Sequence, residues 1–272
     1  MNLCISEATT LPGSFAEDVA AFADTGWRAM EVWLTKLETH LEQHSIAATR
    51  KLLAEQQVVP AAAAYQGGLL LSQGEQRRAH FDQFRRRLDL CQQLGIATLL
   101  VVADFVDEAD ATSLSRAVAS LKQAASCAAT ANIRLALEFR SSSRFCASLD
   151  TALAIIAGCG EPNLGVNFDV FHYYTGPSKF EDLALLTAAN LAHVQLSDVA
   201  GVPRELATDS DRVLPGDGDF RLQPIVQRLA DINYAGWISL ELMNPVFWHT
   251  KATQVAELGL EAMRRLTGKI GQ

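Results

Sequence analysis

The chain has 272 residues, of which 49% are hydrophobic and 20% charged, and its formal net charge is -8. This composition excludes an intrinsically disordered chain, which would be poorer in hydrophobic residues and richer in charge. The excess of acidic residues, 31 Asp and Glu against 23 Lys and Arg, argues against a nucleic-acid partner, because binding a phosphate backbone requires a basic surface.

Eight short apolar segments recur along the chain and predict buried β-strands. Several are apolar runs without polar alternation, such as TLLVVA and RLALE, which is typical of parallel strands covered on their outer side. In chain order the predicted strands are Asn2–Ser6, Ala29–Trp33, Val59–Ala64, Thr98–Ala103, Arg134–Glu138, Leu164–Asp169, His193–Ser197 and Trp237–Glu241.

Amphipathic segments separate these strands and predict helices. In the first of them, Ser14 is placed to cap the N-terminus and Gly26 to follow the C-terminus. The predicted helices are Ser14–Asp24, Leu37–Gln56, Glu75–Leu94, Ser113–Ala131, Leu149–Ala157, Glu181–Ala189, Leu222–Asp231 and Ala252–Leu266.

The alternation of strands and helices predicts an α/β fold, a single (β/α)8 TIM barrel over residues 1–272. Barrels of this kind commonly form one domain of roughly 250 residues. A doubly wound sheet is the alternative, but no G-x-G-x-x-G motif follows the first strand to support it.

Polar side chains close four consecutive predicted strands. Glu138 ends RLALE, Asp169 ends LGVNFD and Glu241 ends WISLE, while HVQLSD carries His193 and Gln195 on one face because strand side chains alternate. The carboxyl ends of barrel strands meet at one mouth. The sequence therefore predicts that Glu138, Asp169, Gln195 and Glu241 converge there.

Three converging carboxylates repel one another unless a cation neutralises them. An all-oxygen ligand set favours Mn²⁺ or Mg²⁺ over Zn²⁺. For any one of these residues, a strand-end polar group or an ion-pair partner is the simpler interpretation, but four polar residues at successive strand ends favour a metal site. His193 is the rival of Gln195 as the third ligand, although its deeper position is more typical of packing inside a barrel.

The order of the motifs LALE, FDVFH, HVQLSD, RVLPGDGD and WISLELMNP resembles the xylose-isomerase-like TIM barrels. That superfamily includes sugar and sugar-phosphate isomerases and epimerases, inosose dehydratases, 3-dehydroshikimate dehydratases and a class of apurinic endonucleases. The resemblance implies a metal held by Glu, Asp, His and Glu, three of which carry over as Glu138, Asp169 and Glu241. Gln195 stands where the family usually has His, as in the dehydroshikimate dehydratase branch.

The resemblance implies a divalent-metal-dependent isomerase or epimerase of carbohydrate metabolism, acting on a sugar, sugar phosphate or related polyol. In the family's isomerases the metal binds adjacent carbonyl and hydroxyl oxygens and stabilises the enediolate formed when a proton leaves. Glu138 and Glu241 would remove and return that proton, and the sequence leaves open which of them is the base.

Two other functions stay open at this point. The first is a metal-dependent lyase of the 3-dehydroshikimate dehydratase or inosose dehydratase type, which Gln195 favours and which Arg140, standing where relatives often have His, disfavours. The second is a non-catalytic barrel that binds a metal or polyol, against which the glutamate pair argues. Members of the superfamily often form dimers or tetramers, so a homo-oligomer also stays open.

Seven residues near the predicted strand ends are candidates for contact with a carbohydrate-like substrate, each with a structural role as the alternative. Two resemble family positions, His172 in the D-x-x-H pattern and Arg212 after the seventh strand, where a guanidinium suits a carboxylate or phosphate. The set is His172, Arg212, Lys36, Tyr65, Arg140, Asn244 and Trp248. Aromatic residues that would line the mouth are Trp33, Tyr65, Phe105, Phe171, Phe247 and Trp248.

The five cysteines are scattered and form no C-x-x-C pair, which is typical of free thiols in a reducing compartment. The first residues lack a basic segment followed by a long apolar run, and no stretch approaches the roughly 20 apolar residues of a membrane span. We therefore expect a cytoplasmic protein with no membrane partner.

Overall fold

The computed structural model describes residues 1–104 and 109–268. Its ten strands are β1 (Asn2–Ser6), β2 (Ala29–Trp33), β3 (Val59–Gln66), β4 (Thr98–Val102), β5 (Arg134–Glu138), β6 (Leu164–Asp169), β7 (Leu191–Leu196), β8 (Asp198–Val199), β9 (Arg212–Val213) and β10 (Trp237–Leu240). Eight of them form a closed barrel in the order β1-β10-β7-β6-β5-β4-β3-β2. The predicted (β/α)8 barrel is confirmed, while Phe105 lies outside the described residues.

The helices of the described residues follow most of the strands. They are α1 (Phe15–Asp24), α2 (Leu34–Leu41), α3 (Ile46–Gln56), α4 (Gly74–Leu94), α5 (Ser113–Thr130), α6 (Leu149–Cys159), α7 (Val170–Thr175), α8 (Leu222–Asp231), α9 (Pro245–Trp248) and α10 (Ala252–Thr267). None of these helices is both long and apolar enough to cross a membrane.

The start of α1 follows the sequence prediction. The Glu17 N–H donates to Ser14 Oγ, and Glu17 Oε2 accepts from the Ser14 N–H at 2.8 Å, so the two residues form a capping box. The helix ends at Asp24, and Gly26 follows in the left-handed region with φ +92°. A glycine adopts this backbone conformation without steric cost.

Two predicted helices are wrong in their extent. The segment predicted as Leu37–Gln56 is two helices, because Ser45 accepts from the Ala48 N–H at 3.2 Å and starts α3 afresh. The segment predicted as Glu181–Ala189 is only a short 3-10 helix, Phe180–Leu185. There Asn190 Oδ1 accepts from the Thr187 N–H at 2.8 Å, and such side-chain bonds to the backbone compete with a helix.

The described chain divides into two compact units. The first contains residues 1–61 and those from 194 onward, and the second contains residues 62–193. Each unit has its own buried apolar residues, for example Ile5 and Leu240 in the first and Leu137 and Val166 in the second. The prediction of a single domain over residues 1–272 stays a prediction.

Strand pairing within each unit sets which polar side chains are neighbours. In the first unit, Ser6 on β1 pairs with Glu31 on β2, and Ser239 on β10 pairs with Gln195 on β7. A short antiparallel pair of β8 and β9, which the sequence analysis did not predict, places Arg212 opposite Val199.

In the second unit, the parallel register aligns Val102 on β4 with Glu138 on β5, and Glu138 in turn with Asn167 on β6. These three residues therefore form one row across neighbouring strands.

Candidate active site

Two carboxylates and an imidazole meet at the ends of β5 and β6. Glu138 is the last residue of β5, Asp169 is the last of β6, and His172 lies in α7 directly after it. His172 Nε2 is 3.4 Å from Glu138 Oε1 and 3.6 Å from Asp169 Oδ2. All three side chains are buried, and the atoms through which they could bind a metal lie within 4.8 Å of one another. We call this set the Glu138 cluster.

The local sequence explains why His172 turns towards Asp169. Asp169 caps α7, since its Oδ1 accepts from the Phe171 N–H at 2.8 Å. The first helical turn then returns His172, three residues later, to the side of the cap. Behind the imidazole, Ser141 Oγ lies 3.1 Å from His172 Nδ1 and 2.8 Å from Thr175 Oγ1.

Asn167 fixes the other carboxylate of the cluster. Its Nδ2 donates to Glu138 Oε2 at 2.9 Å, and it lies on the same strand face as Asp169, two residues later. Asn167 is not among the predicted site residues, although the period-two alternation before Asp169 indicates it. Ser141 lies in a loop and has no such signal.

The distances in the Glu138 cluster suit ligands around one divalent ion. A separation of 3.4–3.6 Å between imidazole nitrogen and carboxylate oxygen is longer than a typical hydrogen bond. Ligands bound tetrahedrally at about 2.0–2.2 Å from a metal lie roughly 3.4 Å apart. The donor set therefore fits a divalent metal, with two oxygen ligands and one nitrogen ligand.

A cavity of about 500 Å³ lies at the ends of β3 and β4 in the same unit. Its lining includes Val102, which pairs in register with Glu138, and the polar side chains of Tyr65, Gln76 and His80. This volume is in the range of small-molecule pockets. Tyr65, a predicted substrate contact, is thus part of a cavity beside the strand that carries Glu138.

A second group of buried polar side chains occupies the first unit. Gln195 Nε2 donates to Glu31 Oε1 and to Glu241 Oε1, each at 2.9 Å. Arg212 Nη1 lies 3.3 Å from Glu241 Oε2. We call these four residues, Glu31, Gln195, Arg212 and Glu241, the Glu241 cluster.

Arg212 is almost fully buried, at 1% exposure, and is paired within its own unit. Asp209 Oδ1 accepts from Arg212 Nε at 3.0 Å and from Nη2 at 2.7 Å, and Ser197 Oγ lies 3.3 Å from Nη1. The structure thus gives Arg212 carboxylate partners of its own. Its predicted contact with a substrate stays a prediction.

Lys36, another predicted substrate contact, lies among buried acidic groups. Its Nζ forms an ion pair with Asp18, donates to the Thr10 carbonyl at 3.0 Å, and is 3.9 Å from Glu7 Oε1. Burial is the main cause that raises the pKa of Glu7 well above its usual value, and burial also raises the pKa of Asp18. Nearby Lys36 lowers both pKa values in part.

Asn244 and Trp248 are held by backbone groups of the first unit. Asn244 caps α9 through Val246 at 2.9 Å and donates to the Arg212 carbonyl at 2.8 Å. Trp248 Nε1 donates to the Ala8 carbonyl at 2.9 Å.

The last two candidates lie in or beside the second unit's strands. Arg140 follows β5, where its N–H donates to the Cys146 carbonyl at 3.1 Å, and His193 is buried within β7. The predicted ligand set of Glu138, Asp169, Gln195 and Glu241, and the choice between Gln195 and His193, stay predictions.

The comparison with known families agrees with the barrel fold. The family model described as "Xylose isomerase-like TIM barrel" matches residues 19–266. The chain therefore belongs to the xylose isomerase-like TIM barrel family.

Two curated relatives and one solved structure are similar to this chain. Inosose isomerase of Bacillus licheniformis is 24% identical over 279 residues, which cover 99% of each chain. The 3-dehydroshikimate dehydratase of Pseudomonas aeruginosa is 26% identical over 193 residues, which cover 70% of this chain and 30% of that protein. A crystal structure of the IOLI protein with a binding zinc atom has a TM-score of 0.94 and 22% identity, covering 99% of each chain.

Proposed function

We propose that the protein is a divalent-metal-dependent isomerase that moves a proton next to the carbonyl group of an inosose or a similar polyhydroxylated ketone. The Glu138 cluster carries the proposal, because its two buried carboxylates and its imidazole are spaced as metal ligands. The inosose isomerase of Bacillus licheniformis, which aligns over 99% of this chain, supports the substrate class. The cavity beside β4 has room for a small polyol.

Glu138, Asp169 and His172 would hold the metal. When bound, the ion would polarise the substrate carbonyl and offset the charge of the enediolate. The all-oxygen set expected from the sequence favours Mn²⁺ or Mg²⁺, whereas an imidazole in the set also suits Zn²⁺. The zinc atom in the similar IOLI structure supports testing all three ions.

Glu138 and Glu241 are the proposed proton-transfer residues. A carboxylate that moves a proton acts best when its oxygens are held in place. Asn167 holds one oxygen of Glu138 by a hydrogen bond, and Gln195 and Arg212 contact the two oxygens of Glu241.

The second candidate is a lyase that expels water from a β-hydroxy ketone. It is supported by the dehydratase relative and by Gln195 in place of the family's histidine. Both reactions begin by removing a proton next to a carbonyl, so they share the same residues up to that step. They differ in the product, since loss of water leaves a conjugated double bond.

The test is turnover of an inosose by metal-free protein reloaded separately with Mn²⁺, Mg²⁺ or Zn²⁺, followed by NMR in D₂O. Isomerase activity would give an isomer of unchanged carbon skeleton that carries deuterium beside the carbonyl. A conjugated, ultraviolet-absorbing product would support the lyase instead.

Matched variants complete this test. Glu138→Gln and Glu241→Gln should each lower turnover by roughly 10²-fold or more. Glu55→Gln, at a side chain that is 61% exposed, is the control and should leave turnover unchanged. Full turnover in both active-site variants would contradict the proposed chemistry.

A further inference from the structure

Glu31 is a fully buried carboxylate in β2 that has no part in the chemistry proposed above. Its Oε1 accepts two hydrogen bonds, from Ser6 Oγ at 2.9 Å and from Gln195 Nε2 at 2.9 Å. A buried charged group is costly unless other groups are ordered around it. The side chain of Gln195 connects Glu31 to Glu241, because it donates to both carboxylates.

The amide of Gln195 bridges two carboxylates with one nitrogen atom. Both Nε2 contacts, to Glu31 Oε1 and Glu241 Oε1, are 2.9 Å long, so each takes one of the two amide hydrogens. A flipped amide would turn its carbonyl oxygen towards two carboxylate oxygens, which is repulsive. The two acids therefore fix which end of the amide faces them.

A histidine at position 195 could not form this bridge from one atom, because each ring nitrogen carries at most one hydrogen. Gln195 can therefore link Glu31 and Glu241 through one nitrogen atom, which the family's usual histidine cannot. Its nitrogen restrains Glu241, and its carbonyl oxygen Oε1, the atom of the amide that can bind a metal, is turned away from both acids.

We propose that Glu31 is a positioning residue that orients the Gln195 amide, and through it the carboxylate of Glu241. This inference rests on the proposed function, since the proton-transfer role of Glu241 belongs to it, and on the ligand role that the sequence predicts for Gln195. Glu31 acts as a hydrogen-bond acceptor in this role, so an uncharged acceptor of the same size fulfils it.

Three variants distinguish a role of Glu31 as a hydrogen-bond acceptor from a role in packing alone. Glu31→Met removes the acceptor and keeps a similar volume, whereas Glu31→Gln keeps an acceptor oxygen that both Ser6 and Gln195 can reach. Ser6→Ala removes the other donor to the same Glu31 oxygen and is the matched control. Each purified full-length variant is titrated with Mn²⁺ and with Zn²⁺ by calorimetry, and kcat and KM for an inosose are measured with its melting temperature.

Loss of an outer hydrogen-bond partner of a metal site typically costs 10–100-fold in affinity or activity. We therefore expect Glu31→Met to weaken metal binding and lower kcat by roughly tenfold or more. Glu31→Gln should stay within about threefold of the wild type. Ser6→Ala should change the melting temperature without changing metal affinity.

Wild-type metal affinity and kcat in Glu31→Met would overturn the inference. So would a Glu31→Gln variant as impaired as Glu31→Met, because the charge and not the acceptor would then be responsible. A wild-type protein that binds neither ion and turns over no inosose would instead overturn the proposed function, and the inference with it.

Discussion

The buried acids of the two units are neutralised in different ways. In the first unit, Arg212 lies beside Glu241 and Asp209, and Lys36 pairs with Asp18, so cations of the chain face these carboxylates. In the second unit, Glu138 and Asp169 share the imidazole of His172, a side chain of the type that commonly binds metals. A carboxylate paired with a guanidinium or ammonium group already has a positive counter-charge from the chain. The Glu138 cluster instead has the composition and spacing of a site for an external cation.

Removing the guanidinium gives the sharpest test of the ion-paired region. Arg212→Met leaves Glu241 and Asp209 without their charged partner and should lower the free energy of unfolding by about 3–5 kcal/mol, the usual cost of breaking a buried pair. Urea unfolding followed by circular dichroism measures this loss. The matched control is Arg265→Met, since the Arg265–Asp217 pair, 2.9 Å apart, is half exposed and should contribute less than about 1 kcal/mol. Equal losses in the two variants would refute the assignment of Arg212 to a buried ion-pair network.

Removing one charge from the Glu138 cluster tests the proposed cation site of the second unit. Asp169→Asn keeps an oxygen that can accept from the Phe171 N–H, so α7 stays capped. Losing this proposed ligand should weaken binding of Zn²⁺ or Mn²⁺ by roughly 100-fold or more. This loss is larger than the one expected when a residue that only hydrogen-bonds to a metal ligand is removed. Competition with a chromogenic chelator measures the affinity. Asp89→Asn, at an exposed position of α4, is the control. Unchanged affinity in Asp169→Asn would exclude Asp169 as a ligand.

Replacing Glu7 should have a smaller effect on stability, and the size of this effect should depend on pH. Its pKa is raised by burial first and by Asp18 second, so folding favours the protonated acid. The stability that the protonated form provides is complete below the ordinary Glu pKa and is lost as pH rises through the raised value. Glu7→Gln should therefore melt at a higher temperature than the wild type at pH 8, with the difference shrinking towards pH 4.

Glu17→Gln is the companion variant with the opposite sign. Hydrogen bonds from Ser14 lower the pKa of Glu17, so its contribution is present above the ordinary pKa and lost as pH falls through the lowered value. This variant should melt below the wild type at pH 7 and converge with it in acid. A Glu7→Gln curve that runs parallel to the wild type at all pH values would contradict the raised pKa of Glu7.

The barrel could be predicted from the sequence because parallel buried strands leave a strong local pattern. Each predicted strand agrees with the structure to within two residues at either end, as for Val59–Gln66 against Val59–Ala64. The helix breaks were missed because they depend on single side chains. Ser45 starts a new helix, and Asn190 binds the backbone near Thr187. Apolar periodicity carries no information on such bonds.

The strand-end acids could also be found from the sequence, but their partners could not. Glu138, Asp169 and Glu241 follow from their place at the end of apolar runs. The pairing of Lys36 with Asp18 joins α2 to α1, and that of Arg212 with Glu241 joins β9 to the residue after β10. These contacts depend on how loops and helices pack, which strand patterns do not encode.

The proposed function depends above all on whether the Glu138 cluster belongs to a divalent-metal site. The most direct test is equilibrium dialysis of chelator-treated wild-type protein against Zn²⁺, Mn²⁺ and Mg²⁺, with bound metal counted by mass spectrometry. We expect about one ion per chain for at least one of these metals, lost when Glu138 or Asp169 is replaced by its amide. No bound ion, or one retained by both variants, would contradict it.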